Sequence, residues 1–222
     1  MRALMVSTAR IVALGVLVAL GAGCTTSGPE PKASRSVKSP EVDLTAACPG
    51  LITDAAGEAL MHVLQSSHLV NDDAQTVGVT AMGKALEEAY REAPKAQDVV
   101  VPACTVTGIV GRGKRVGEIG LAAENRNVGA PGTDQTGVRV TRADKERGVA
   151  FDCVSTRVGS TRDMPLRITA FYKDRYQSSR GDAVLGEDYL VLAHSGALAI
   201  AKELGCENNG GLPDGASDLP KP

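Results

Sequence analysis

Between residues 53 and 93 the apolar positions recur with the period of a helix. Ala56, Ala59, Leu60, Val63 and Leu64 stand at i, i+3, i+4, i+7 and i+8, which puts all five on one side of an α-helix. Thr53 or Asp54 offers a capping oxygen at its start. A second helix is predicted from Thr80 to Ala93, with Met82, Leu86, Ala89, Tyr90 and Ala93 on one side and Lys84 and Glu88 spaced i, i+4 on the other. Pro94 stops it, because proline has no amide hydrogen and its ring crowds the preceding turn.

The period then shortens to two. Cys104 to Val110 (CTVTGIV) and Val116 to Ala123 (VGEIGLAA) predict strands joined by a turn over Gly111, Arg112, Gly113, Lys114 and Arg115. Residues 124 to 148 are polar and weakly periodic, a long excursion with a short extended piece at Val138 to Thr141. Val149 to Arg157 predicts a strand with Phe151 and Cys153 on one side. Leu166 to Tyr172 predicts another, in which Leu166, Ile168, Ala170 and Tyr172 alternate with Arg167, Thr169 and Phe171, so one sheet face is partly charged and faces water. Leu185 to Leu204 predicts a long helix that is apolar on more than one side and therefore touches both the sheet and a neighbour. Gly205 follows where a left-handed cap is wanted. Together these elements predict an α+β domain over residues 43 to 212. An antiparallel sheet of about four strands carries two N-terminal helices and one long C-terminal helix on one face. Asn, Gly and Pro after Glu207 predict a turn and then a disordered tail over residues 213 to 222.

The N-terminus follows a different pattern. Arg2 and Arg10 flank a stretch without acids, Ile11 to Leu20 is apolar or small throughout, and Gly21, Ala22 and Gly23 lead to Cys24. That is the order of parts of a signal peptide over residues 1 to 23. The apolar run falls short of the roughly 20 residues a permanent membrane span needs. Small residues ending at a cysteine resemble the lipobox of bacterial lipoproteins, in which the thiol receives a diacylglyceryl group and cleavage occurs just before it. The usual leucine three residues ahead of the cysteine is Gly21 here, with Leu20 one step earlier. From there to Val42 the chain (TTSGPEPKASRSVKSPEV after Cys24) has almost no bulky apolar residue, so residues 24 to 42 predict a disordered tether. Its flexible part would span roughly 23 Å root-mean-square.

Five cysteines sharpen that picture. If Cys24 carries lipid, Cys48, Cys104, Cys153 and Cys206 form an even set suited to two disulfides outside the cytoplasm. Cys48 precedes the first helix and Cys206 follows the last, while Cys104 and Cys153 lie in strands, so each bridge can pin a helix end to the sheet. Pairing Cys48 with Cys104 and Cys153 with Cys206 is preferred among the three connectivities that four cysteines allow. The alternative, an unmodified Cys24 that is free or paired between molecules, stands beside it. A metal site lacks the spacing, since neither CxxC nor His-x-x-x-His accompanies the cysteines.

Composition excludes more than it selects. There is no Trp, with two Phe and four Tyr, too few aromatic faces for stacking on single-stranded nucleic acid or sugars. The formal net charge is −2, without a polyelectrolyte signal. Residues 105 to 180 are nonetheless basic, with 14 Lys plus Arg against 8 Asp plus Glu, whereas the flanking mature segments are acidic. A basic region of this kind faces an anionic envelope partner or, more commonly, pairs with the protein's own acidic segments.

Catalytic patterns are weak. His194 and Ser195 are neighbours on a predicted helix and point about 100° apart, so they do not make a nucleophile and base. AHSGA lacks the first glycine of a GxSxG elbow. His62 falls off the apolar side of the first helix, and His68 is the third and last histidine. GRGKRVG, Gly111 to Gly117, fits neither phosphate-loop pattern and reads as a hairpin turn. Asn71, Asp72 and Asp73 read as turn chemistry rather than a cation loop. No catalytic residue, cofactor or metal is expected.

The lipobox-like start, CPGLITDAAGEAL, VAFDCVSTR and the closing ALAIAKELGCENNGGLP resemble a family of uncharacterised lipoproteins of streptomycetes and related actinobacteria, over Cys48 to Pro213. More distantly the plan resembles small two-disulfide α+β lipoproteins of mycobacteria. The resemblance implies export, lipidation at Cys24 and paired cysteines, and brings no activity with it. The sequence as a whole therefore predicts a lipoprotein anchored to the cell membrane through Cys24 on the extracytoplasmic side. It would serve as a binding or envelope accessory module for an unknown envelope ligand or protein, with no role toward nucleic acid. An envelope hydrolase is the alternative.

Overall fold

The computed structural model describes residues 41–70, 77–92, 99–124, 137–176 and 182–221. In chain order the elements are β1 (Glu41–Val42), α1 (Leu44–Ala47), α2 (Asp54–Leu64), β2 (Leu69–Val70), α3 (Val79–Arg91), β3 (Val99–Val110), β4 (Gly113–Glu124), β5 (Arg139–Ala143), β6 (Glu146–Cys153), β7 (Leu166–Asp174) and α4 (Asp182–Leu204). The expected α+β antiparallel sheet is present. Among the described residues it has seven strands rather than about four, in the order β1-β2-β3-β4-β7-β6-β5. Two of the additional strands are dipeptides, Glu41–Val42 paired with Leu69–Val70 and the latter with β3. Two residues carry no periodicity, so these pairings leave no pattern in the sequence. Glu41 and Val42, read as the end of the tether, thus belong to the sheet.

The helices form where the apolar spacing demands them. Thr53 caps α2, its Oγ1 accepting the Ala56 amide at 3.3 Å, and the five spaced apolar residues are buried. Met82 and Leu86 of α3 are buried as well. Gly83 lets α3 approach α4, since a Cβ there would stand 2.9 Å from Glu203 Cγ and 3.5 Å from Leu204 Cδ2. α4 lies across β6 and β7 and also meets α2 and α3, which is why Leu185, Tyr189, Leu192, Ala193, Ala197, Ile200, Ala201 and Leu204 are all buried. It ends in a Schellman motif: Gly205, at φ +65°, donates to the Lys202 carbonyl and Cys206 donates to that of Ala201.

Several strand boundaries differ from expectation. β3 begins at Val99 and absorbs Pro102 in an irregularity between Val101 and Cys104, the kind of site where a proline is tolerated in a ladder. The β3–β4 turn is two residues, Gly111 and Arg112, because Val110 pairs directly with Gly113; two-residue hairpin turns match strand twist when their first central residue has positive φ, which Gly111 supplies at +58°. β6 starts at Glu146, joined to β5 by Asp144 and Lys145 with Lys145 at φ +55°. A hairpin turn without glycine gives little sequence warning. β6 stops at Cys153 instead of reaching Arg157, since the Ser155 amide turns to Ser160 Oγ at 2.9 Å.

The face of β7 away from α4 is drier than its charge suggests. Arg167 is only 6% exposed and its Nε meets Asp152 Oδ1, directly opposite on β6, at 3.3 Å. The segment expected to be disordered after residue 212 also packs. Asn208, Asn209, Gly210 and Gly211 all take left-handed φ, and Gly210 sits so close to Phe151 that a Cβ would stand 2.4 Å from its Cδ2. The chain then returns along α4 with a turn at Ala216–Asp218. Leu212 and Leu219 are buried there, an apolar anchorage that the segment's average composition does not show.

Candidate functional site

All four domain cysteines are joined as preferred, Cys48 to Cys104 and Cys153 to Cys206, and all four are buried. The first bridge ties the chain ahead of α2 to β3, and the second ties the end of α4 to β6. In a chain-entropy view each closes a loop large enough to contribute about 4 kcal/mol. Cys24, the expected signal peptide and residues 24–40 of the expected tether lie outside the described residues, as do Asn71, Asp72 and Asp73.

The side chains weighed for catalysis hold the fold. Ser195 Oγ donates to the Leu51 carbonyl at 2.7 Å and accepts the Thr53 amide at 3.2 Å, locking α4 to the start of α2. His194 Nε2 donates to the Pro213 carbonyl at 2.9 Å, so it fastens the C-terminal return. Burial lowers the His194 pKa, against opposing contributions from that carbonyl and Asp214. His62 Nδ1 meets Asp188 Oδ2 at 2.6 Å, an α2–α4 contact about 10 Å along α4 from Ser195. The structure therefore joins His62 to a carboxylate and directs Ser195 to the backbone elsewhere. His68 is exposed and its amide donates to Ser66 Oγ at 3.0 Å.

A second buried polar group has a similar role. Tyr189 Oη donates to Asp174 Oδ2 at 3.0 Å, and Asp174 Oδ1 accepts the Tyr176 amide at 2.8 Å. The Tyr172 hydroxyl beside them is buried without a hydrogen-bond partner among the described residues. Gly117 makes room for it, because a Cβ there would stand 2.2 Å from the hydroxyl. Desolvation, with Asp174 and Tyr189 nearby, pushes the Tyr172 phenol well above its ordinary range, so it stays neutral.

Among the described residues two concavities stand out. One, of about 870 Å³, lies over the start of α3 beside Pro49. Three of its four charged residues pair within it: Glu87 meets Arg157 Nε at 2.5 Å and Arg91 Nη2 at 3.2 Å, and Arg157 also meets Glu203, while Lys84 reaches Glu88 at 4.0 Å. These pairs, with Arg162 to Glu207 at 3.2 Å, show part of the basic region meeting the protein's own acidic segments.

The other is a cleft of about 630 Å³ between the β5 end of the sheet, α4 and the C-terminal return. This size suits a small organic ligand. Val140, Leu190, Val191 and Leu219 supply apolar lining. Arg142 of β5 and Arg147 of β6 stand directly opposite in register, and both line the cleft. Arg147 lies against α4 because residue 186 is glycine; a Cβ there would be 3.2 Å from its Nη2. Its Nη1 donates to the Ala143 and Glu146 carbonyls at 3.1 and 2.7 Å. Sequence reasoning passed over this cleft, since one wall is the tail read as disordered and another is the hairpin read as irregular. The signal available was the pair of arginines five residues apart in TRADKERG, flanking a two-residue turn.

Among the described residues no three His, Cys, Asp or Glu gather as a metal site, and no helix is long and apolar enough to cross a membrane. Comparison of the chain with protein-family models, with curated proteins and with solved structures returns no significant match.

Proposed function

We propose that this protein is a lipoprotein held at the extracytoplasmic face of the cell membrane through lipid on Cys24. In that position it acts as a binding or envelope accessory module rather than as a catalyst. The observation that carries the proposal is the disposition of sulfur. Four cysteines close two buried bridges, as suits an oxidising compartment. The fifth stands alone behind a basic and apolar leader. The resemblance to actinobacterial lipoproteins supports the same reading, and the cleft at β5, α4 and the C-terminal return is the place for a ligand.

The His62–Asp188 pair favours one other reading, an envelope hydrolase using that histidine as a base. Ser195 argues against it, because its hydroxyl is spent on the Leu51 carbonyl and the Thr53 amide just ahead of α2. Cell fractionation of the wild-type chain and of Cys24→Ala tests the proposal. Wild type is expected in the membrane fraction, released by detergent, and the variant is expected to lose lipid and mature processing together. A variant that stays on the membrane with its leader removed would overturn the anchor.

A further inference from the structure

Two arginines face each other across the β5–β6 ladder inside the cleft, Arg142 opposite Arg147. Like charges placed directly opposite on neighbouring strands repel and destabilise the pair, and local conflicts of this kind concentrate at functional sites. Arg147 spends its Nη1 on the Ala143 and Glu146 carbonyls of the turn, while its Nη2 and Nε lie toward Gly186 of α4 at the cleft. Lys221 adds a third cation to the lining, and Glu187 is the acidic side chain among the described residues there. Beside this positive end the wall is Val140, Leu190, Val191 and Leu219, of which Leu190, Val191 and Val140 are only partly covered. One end of the cleft thus wants negative charge and the other wants apolar surface.

We infer that the cleft binds a small anionic amphiphile, its carboxylate or phosphate head held between Arg142 and Arg147 and its apolar chain laid along α4 against Leu190, Val191 and Leu219. A planar guanidinium offers paired N–H donors that match either head group. The two cations become favourable neighbours once an anion lies between them. A ligand of this class presupposes the binding role proposed above.

Calorimetric titration of the full chain carrying Cys24→Ser, disulfides intact, provides the test. The probes are decyl phosphate, decanoate, uncharged decanol and inorganic phosphate. Decyl phosphate and decanoate are expected to bind one to one, the tighter of the two identifying the head group. Decanol and inorganic phosphate are expected to bind at least tenfold more weakly. Arg142→Gln, at an exposed position, is expected to weaken both decyl anions at least tenfold without lowering the thermal midpoint of the unliganded chain. Glu187→Gln, also exposed, is expected to tighten them, a direction that misfolding does not produce. Binding of decanol or of inorganic phosphate as tight as that of decyl phosphate, affinity unchanged in Arg142→Gln, a lowered midpoint in that variant, or no binding of either anion would overturn the assignment. These titrations do not depend on the anchor, so failure of the fractionation experiment and failure of this one are told apart.

Discussion

Ser195 stands next to a histidine in a long helix, and its hydroxyl holds the beginning of a different helix. Helical geometry already separated it from His194 in the sequence. What it could not supply was the partner, the Leu51 carbonyl 144 positions earlier in the chain, because a hydrogen bond of that range leaves no trace in local pattern. Ser195→Ala removes a buried donor and acceptor and strands the Leu51 carbonyl and Thr53 amide. The expected loss is about 1–3 kcal/mol of unfolding free energy, measured by denaturant titration. A stability unchanged within error would mean that the latch carries nothing. Arg167 teaches a related lesson. Its charge on an alternating strand signalled a wet face, and Asp152 directly opposite on β6 lets it be buried instead.

At the scale of elements, legibility followed length and period. α2, α3, α4, β3, β4 and β7 each bury a face that repeats several times, so the repeat itself declared them. The dipeptide strands β1 and β2 could not, and the β5–β6 hairpin turned on Asp144 and Lys145 where glycine or asparagine would have marked it. The C-terminal return escaped because Leu212 and Leu219 are two apolar residues in a polar, proline-bearing stretch. Five of the twelve residues that line the candidate cleft were hidden with it. His194 joins this return to α4, and burial lowers its pKa. The unfolded chain, with a histidine near 6.5, then binds the proton more readily than the folded one. The contribution is therefore complete above about pH 6.5 and is lost as pH falls through the lower folded value. His194→Gln keeps a donor for the Pro213 carbonyl and removes the titration. Its thermal midpoint is expected to fall less steeply below pH 6.5 than that of the wild type, and parallel curves would contradict the assignment.

For the molecule as a whole, the disulfides are consistent with an extracytoplasmic setting. A domain whose helix ends are pinned to its sheet at Cys48–Cys104 and Cys153–Cys206 depends on an oxidising compartment for that reinforcement. The basic middle segment spends part of its surplus on Glu87, Glu203 and Glu207 and presents Arg142 and Arg147 in the cleft. The measurement that bears most directly on this account is the intact mass of the membrane-extracted protein, before and after reduction, with thiol alkylation. The account predicts an N-terminus at Cys24 with a lipid increment, no alkylation of the native protein, and four alkylated thiols after reduction. A mass without lipid on an uncut leader, or four thiols open to alkylation in the native protein, would contradict it.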